Sequence, residues 1–282
     1  MEAKVLYTPE EVHALCRSHA VTLIDIRDRD RFLRGHIPGA VNLPEIFYTL
    51  AETTPAGLTA LHERFEALLS RAGVSWDKPV ILYEDSLETW CGASCRGYWL
   101  LTYLGHPRAG IIERGFTGWC FDGFPVATGE TVPAPSAFAV DPQPQLLATR
   151  QQVLLTLESP DLVLIDNRDR DEWLGQSSSP YGIDFAPRKG RIPGARWIEW
   201  YRMMIQHLEF CTFRPAEEIR DLCAAQGITP QDDIILYCFK GSRSANTFIA
   251  MKRAGFTRVR LYLGSWNEWS RDFSLPIDQE KP

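Results

Sequence analysis

No stretch of this 282-residue chain approaches the apolar length that spans a bilayer. The opening Met1-Glu2-Ala3-Lys4-Val5-Leu6 lacks the basic and then apolar regions of a secretory signal. A cytoplasmic location and no membrane partner are expected. Basic excess is also missing: the net charge is −6, the pI is near 5.6, and no basic run is interleaved with aromatics, which argues against a general nucleic-acid binder. Any anion site must be local. The seven cysteines, at 16, 91, 95, 120, 211, 223 and 238, are odd in number and lack paired CxxC spacing, so neither a disulfide framework nor a zinc site is supported. Free thiols and no metal are expected. What is present is a 45% hydrophobic composition over a length sufficient for two cores.

One cysteine has a distinctive setting. The apolar run Ile234-Ile235-Leu236-Tyr237 leads into Cys238-Phe239-Lys240-Gly241-Ser242-Arg243, and a helix-like stretch follows from Ser244 to Met251. A cysteine between a strand end and a helix start meets amide N–H groups with no helical partner and the positive end of the helix dipole. A thiolate is favoured there over a thiol. Gly241 allows the loop backbone to turn its N–H groups inward as an anion cradle, and Lys240 and Arg243 add full positive charges. The loop suits a negatively charged sulfur and an anionic reactant.

The chain is written twice. Pro133, Pro135, Pro142 and Pro144 mark a semi-rigid linker over residues 129–145, separating domains 1–128 and 146–282. In both halves a threonine N-cap with Glu or Gln three residues later opens a helix, at Thr8-Pro9-Glu10-Glu11 and Thr149-Arg150-Gln151-Gln152. Apolar strands then end in Asp25-Ile26-Arg27 and Asp166-Asn167-Arg168. Gly35-His36-Ile37-Pro38-Gly39-Ala40 is echoed by Gly190-Arg191-Ile192-Pro193-Gly194-Ala195, and a third strand ends in Glu84 or Cys238. Last come Gly115-Phe116-Thr117-Gly118-Trp119 and Gly264-Ser265-Trp266-Asn267-Glu268-Trp269. Strands alternating with helical patterns predict an α/β fold, a mainly parallel sheet flanked by helices in each half. Glu84 stands at the cysteine position of the first copy, so that half is read as non-catalytic. The second copy carries an extra loop of about 13 residues within 176–189, whose basic end, Arg188 and Lys189, is a candidate substrate rim. Its alternative is a solvated surface loop. Cys91-Gly92-Ala93-Ser94-Cys95-Arg96 repeats the cysteine-to-arginine spacing of the active loop, from Cys91 to Arg96, but its distance from the strand end reads as helix interior, for Cys91 and Cys95 alike.

Together these motifs, GHIPGA, KGRIPGA, the CxxGxR loop and GSWxEW, resemble the two-domain rhodanese-like sulfurtransferases along almost the whole chain. The resemblance implies tandem α/β domains with the active site in the cleft between them and only the second domain equipped for catalysis. It implies a double displacement through a Cys238 persulfide, with no metal or organic cofactor. Phe239, Lys240, Gly241, Ser242 and Arg243 form the active loop, Lys240 and Arg243 binding the oxyanion end of a small anionic donor. Arg168 orients the loop or the substrate, or else makes a fold-stabilising ion pair, since Asp25-Ile26-Arg27 repeats it in the copy without the cysteine. Gly190, Pro193 and Trp269, and likewise Asp25 and His36, belong to the repeated framework.

Family members specific for thiosulfate carry loops like CRKG, and those specific for 3-mercaptopyruvate loops like CGSG. Cys238-Phe239-Lys240-Gly241 shares Lys240 with the first group, whereas Glu172 stands near where that group often places an arginine. Thiosulfate is the favoured donor and 3-mercaptopyruvate the alternative. Phe239 offers an apolar face to a thiol-bearing acceptor or a protein partner. Cyanide, glutathione, thioredoxin or another protein thiol all fit as acceptors, and a persulfide relay fed by a partner protein is a further reading. A phosphatase-like enzyme is a remote one, because those loops place five residues between cysteine and arginine where this chain has four.

Overall fold

A computed structural model describes residues 4–18, 21–159 and 161–279; Met1, Glu2 and Ala3, which open the segment read for a signal, lie outside them. The described residues fall into two units. The first comprises the chain up to Thr49, Thr59–Gln143 and Ile205–Thr212; the second comprises Leu50–Leu58, Pro144–Met204 and the chain from Phe213 onward. The passage at Gln143 and Pro144 lies within the proline-rich segment. The two short exchanged pieces carry no signal in the sequence.

In the first unit β1 (Leu6–Tyr7), β2 (Thr22–Asp25), β3 (Val41–Asn42), β4 (Val80–Tyr83) and β5 (Ala109–Ile112) form one sheet. Its order is β1-β5-β4-β2-β3 and every pairing is parallel. In the second unit β6 (Leu162–Asp166), β7 (Arg196–Trp197), β10 (Asp233–Tyr237) and β11 (Val259–Leu261) pair in parallel in the order β11-β10-β6-β7. Between them in sequence, β8 (Met204–Gln206) and β9 (Cys211–Phe213) form a two-stranded sheet. Central strands such as Val80–Tyr83 are buried at every position, as expected of parallel strands covered by helices on both faces, and this explains why they read as unbroken apolar runs. Among the described residues no helix is long and apolar enough to cross a membrane.

Both helix starts expected from the threonines form as capping boxes. Thr8 caps Pro9–Arg17 with Glu11 returning the bond, and Thr149 caps Arg150–Thr156 with Gln152 returning it. Such a cap contributes about 0.5–2 kcal/mol.

The repeated Asp-x-Arg is architecture in both copies. Arg27 donates to both oxygens of Asp25 and, at 2.7 Å, to the carbonyl of Gly35. Arg168 does the same with Asp166 and, at 2.8 Å, with the carbonyl of Gly190. Each guanidinium also lies over an aromatic ring, Phe116 or Trp266. The pair ties the end of a central strand to the IPGA turn, whose Ile37 or Ile192 N–H in turn donates to the buried hydroxyl of Tyr83 or Tyr237. Arg168 is fully buried. Of the two readings of Arg168, the ion pair with Asp166 is the one its contacts form, although its buried Nη1 has no hydrogen-bond partner among the described residues; removing either partner would leave the other uncompensated, at about 3–5 kcal/mol.

The closing segments also correspond. Trp119 and Trp269 each donate an indole N–H to a proline carbonyl, Pro125 or Pro276. The Phe116 N–H donates to the Glu84 carbonyl as the Trp266 N–H donates to that of Cys238. Gly115 therefore matches Ser265, one residue away from the match the two glycines suggest, and Arg114 matches Gly264. The volumes compensate: a Cβ on Gly118 would lie 2.3 Å from Arg114 Cβ, and one on Gly264 only 1.9 Å from a Glu268 carboxylate oxygen.

Candidate active site

Cys238 follows the last residue of β10, and Gly241 at φ +94° precedes the helix Ser242–Arg253. A side chain at Gly241 would be strained and would also meet Leu263 at 2.7 Å, so this turn requires glycine. The thiol is 1% exposed. Its sulfur accepts from the Gly241 N–H at 3.2 Å and from the Ser244 hydroxyl at 3.5 Å. Burial pushes the thiol up. The charge of Arg243 and the hydrogen bonds from Ser244 and the Lys240 amide outweigh it, and the net shift is downward. Other thiols move the opposite way. Burial holds Cys16 at about 11 and Cys223 at about 12; Cys211 is pushed to about 12 by burial and by Glu88, and burial raises Cys120 as well.

Arg243 is itself almost wholly buried. It donates to both oxygens of Glu172, at 2.5 and 3.1 Å, and lies 3.0 Å from Asp169 Oδ1. Glu172 thus meets the cation of the cysteine loop from another element, the short helix Arg170–Trp173. The guanidinium bridges the two carboxylates through Nη1 and Nη2, and its charge favours the thiolate of Cys238. Lys240 is buried, with its ammonium 4.8 Å from the ring centroid of Tyr181. The buried Ser242 hydroxyl has no hydrogen-bond partner among the described residues.

Phe239 offers no apolar face to an acceptor. It is 2% exposed and packs in the core with Tyr262, Trp266 and Trp269, its ring centroid 5.0 Å from that of Tyr181. Arg188 is corrected too. Its guanidinium donates to the carbonyls of Trp269, Ser270, Asp272 and Leu275, closing the C-terminal end of the helix Ser265–Arg271. Lys189 is exposed and donates to the Gln176 carbonyl. The inserted loop reaches the cysteine loop through Tyr181, which no basic or motif signal announced.

The first copy holds a carboxylate in the corresponding cradle. Glu84 accepts from the Ser94 N–H at 2.8 Å, the Ser94 hydroxyl at 2.7 Å and the Trp90 N–H at 3.1 Å, at the start of the helix Ala93–Tyr103. Burial nevertheless raises its pKa to about 8. Cys91 does not lie in a helix interior as its spacing suggests. It has φ +53°, Gly92 follows at +76°, and the helix starts at Ala93, because this copy places a longer loop before the left-handed residue that opens the helix. Arg96 points elsewhere, donating to the carbonyls of Ile46, Phe47 and Thr49.

A cavity of about 580 Å³ in the second unit is lined by Arg150, Glu268, Arg271 and Phe273, among others, and by no residue of the cysteine loop.

Residues 8–122 and 149–272 each match the model of the rhodanese-like domain. Over 270 residues the chain is 28% identical to a thiosulfate sulfurtransferase of Azotobacter vinelandii, covering 96% of this chain and 95% of that protein. It is 29% identical to the sulfur carrier protein TtuD of Thermus thermophilus, covering 97% and 96%. Among solved structures, that of YnjE superposes with a TM-score of 0.79 at 25% identity, covering 98% of this chain and 68% of that one. Wild-type EanB gives 0.81 at 25% identity, covering 98% and 69%.

Proposed function

This chain belongs to the rhodanese-like domain family and is a sulfurtransferase, and from that premise we propose that it moves a sulfane sulfur from thiosulfate to a thiophilic acceptor through a Cys238 persulfide. The observation that carries the reading is the depressed thiol of Cys238, held by the Gly241 N–H, the Ser244 hydroxyl and the Arg243 charge. The thiolate attacks the outer sulfur of thiosulfate, the donor's S–S bond breaks, and sulfite leaves with the bonding pair. Cyanide or an acceptor thiolate then attacks the outer sulfur of the persulfide, and the Cys238 thiolate is released with the pair. Electrons balance over the two displacements without a metal or organic cofactor.

The groups that hold the thiolate also suit the anionic persulfide. Lys240 and the spare Ser242 hydroxyl are assigned to the sulfonate oxygens of the donor, while Arg243, balanced by Glu172 and Asp169, serves the sulfur. Sequence relationship to a sulfur carrier protein favours a protein thiol among the acceptors.

The test is the intact mass of reduced wild-type and Cys238→Ser protein after thiosulfate, and separately after 3-mercaptopyruvate, followed by cyanide. Gain of one sulfur by the wild type alone, lost to cyanide, is expected. Cys91→Ser and Cys95→Ser should behave as wild type. Sulfur uptake by Cys238→Ser would end the mechanism, and uptake from 3-mercaptopyruvate alone would move the donor to that compound.

A further inference from the structure

Resting on the reading of Cys238 as nucleophile, we propose that Ser265 is a positioning residue that clamps the Cys238 backbone and so aims the sulfur at its hydrogen-bond donors. Ser265 has φ +52°, one of two non-glycine residues with positive φ among those described. A side chain there is strained. The duplicated copy shows that the fold requires the conformation and that glycine relieves it: Gly115, at the matching position, has φ +57°.

What serine adds to this strained position is a hydroxyl. It accepts the N–H of Cys238 at 3.2 Å and donates to the Tyr262 carbonyl at 2.7 Å. The next residue, Trp266, donates its N–H to the Cys238 carbonyl at 3.0 Å. Both backbone polar groups of the nucleophile are thereby fixed to the start of one helix, which leaves side-chain rotation to set the distances from sulfur to the Gly241 N–H and the Ser244 hydroxyl. In the first copy a Cβ on Gly115 would lie 2.4 Å from the Asp85 carbonyl oxygen, so that backbone has no room for the clamp, and the residue at its cysteine position is Glu84. Strain retained at this position in the copy with the cysteine and relieved by glycine in the other, by a residue that bonds the cysteine's own amide, is the mark of a functional position.

Ser265→Ala keeps the strain and loses the hydroxyl, while Ser265→Gly loses both. The rate of alkylation of Cys238 by iodoacetamide, followed by mass from pH 5 to 9, is compared with thermal melting and with kcat/KM for sulfur transfer. Both variants should alkylate about tenfold more slowly at pH 6, with the profile displaced upward and kcat/KM about tenfold lower, the size of one weakened hydrogen bond to a charged group. The glycine variant should melt above the alanine variant. A Ser265→Gly protein with the wild-type alkylation profile and kcat/KM would overturn the proposal, because the position would then serve only the backbone. Alkylation needs only the thiolate, so a wild type that accepted no sulfur would refute the proposed function while the same profiles still decided the clamp.

Discussion

Replacing Arg243 by Gln should separate the two things this residue does. Arg243 and Glu172 are 3% and 2% exposed, and their ion pair is bidentate. Arg243→Gln leaves a buried carboxylate without its cation, and the expected loss is about 3–5 kcal/mol of stability. It also removes the largest influence that opposes burial at Cys238. Half-buried Cys16 and buried Cys223, for which burial is the leading cause and no nearby cation lowers the thiol, sit at about 11 and about 12, and the variant moves Cys238 toward them. Each unit of that movement removes a factor of ten in thiolate at neutral pH, so iodoacetamide should modify Cys238 at least about a hundredfold more slowly at pH 7. Instability and lost reactivity could be confused in the single variant. Arg243→Gln with Glu172→Gln removes both charges, and its urea midpoint should return most of the way to wild type, while alkylation stays slow. Glu172→Gln alone frees the cation from its main carboxylate partner, so its thiol should be at least as reactive as wild type and its KM for thiosulfate lower. A double variant that alkylates at the wild-type rate, or a Glu172→Gln protein as unreactive as Arg243→Gln, would refute the role given to Arg243.

Three further outcomes are expected. Glu84 carries a folded pKa of about 8 against an unfolded 4.5; the unfolded chain releases its proton first, so wild-type stability should fall from about pH 4.5 to about pH 8, by roughly 1.4 kcal/mol per unit. Glu84→Gln should flatten that slope in urea titrations, and an already flat wild type would contradict it. Tyr181→Ala removes the ring beside Lys240 and should raise the KM for thiosulfate about 2- to 10-fold with little change in kcat, Tyr181→Phe remaining near wild type; equal kinetics in all three proteins would remove Tyr181 from the site. Arg188→Ala loses four carbonyl partners and should cost about 1.5–3 kcal/mol with the thiosulfate KM unchanged, whereas an altered KM with intact stability would restore Arg188 to the substrate.

The local grammar of the chain was sufficient for much of this. A strand run, then a cysteine, a glycine and a helix start can form few geometries, because the unpartnered amides of a helix end and the left-handed freedom of glycine are properties of adjacent residues. For the same reason both threonine caps were legible at their residues. The duplication supplied an internal control that marked Asp166 and Arg168 as framework candidates and Glu84 as the occupant of the cysteine position.

What depended on distant residues was not legible. Arg188, Arg243 and Lys240 are all basic side chains beside or within a loop of the copy with the cysteine, and composition cannot rank them. Folding sent the first to four carbonyls, the second to Glu172, 71 positions away, and the third beneath Tyr181. Phe239 read as an apolar face for an acceptor, its burial not given by the sequence, and is core, and the strain at Ser265 appears only when its backbone is seen beside that of Gly115. Sequence by itself determined where a thiolate could form, since that rests on neighbours along the chain. Tertiary structure decided which charges reach it, because a buried cation acts according to the carboxylates, rings and carbonyls that packing sets against it.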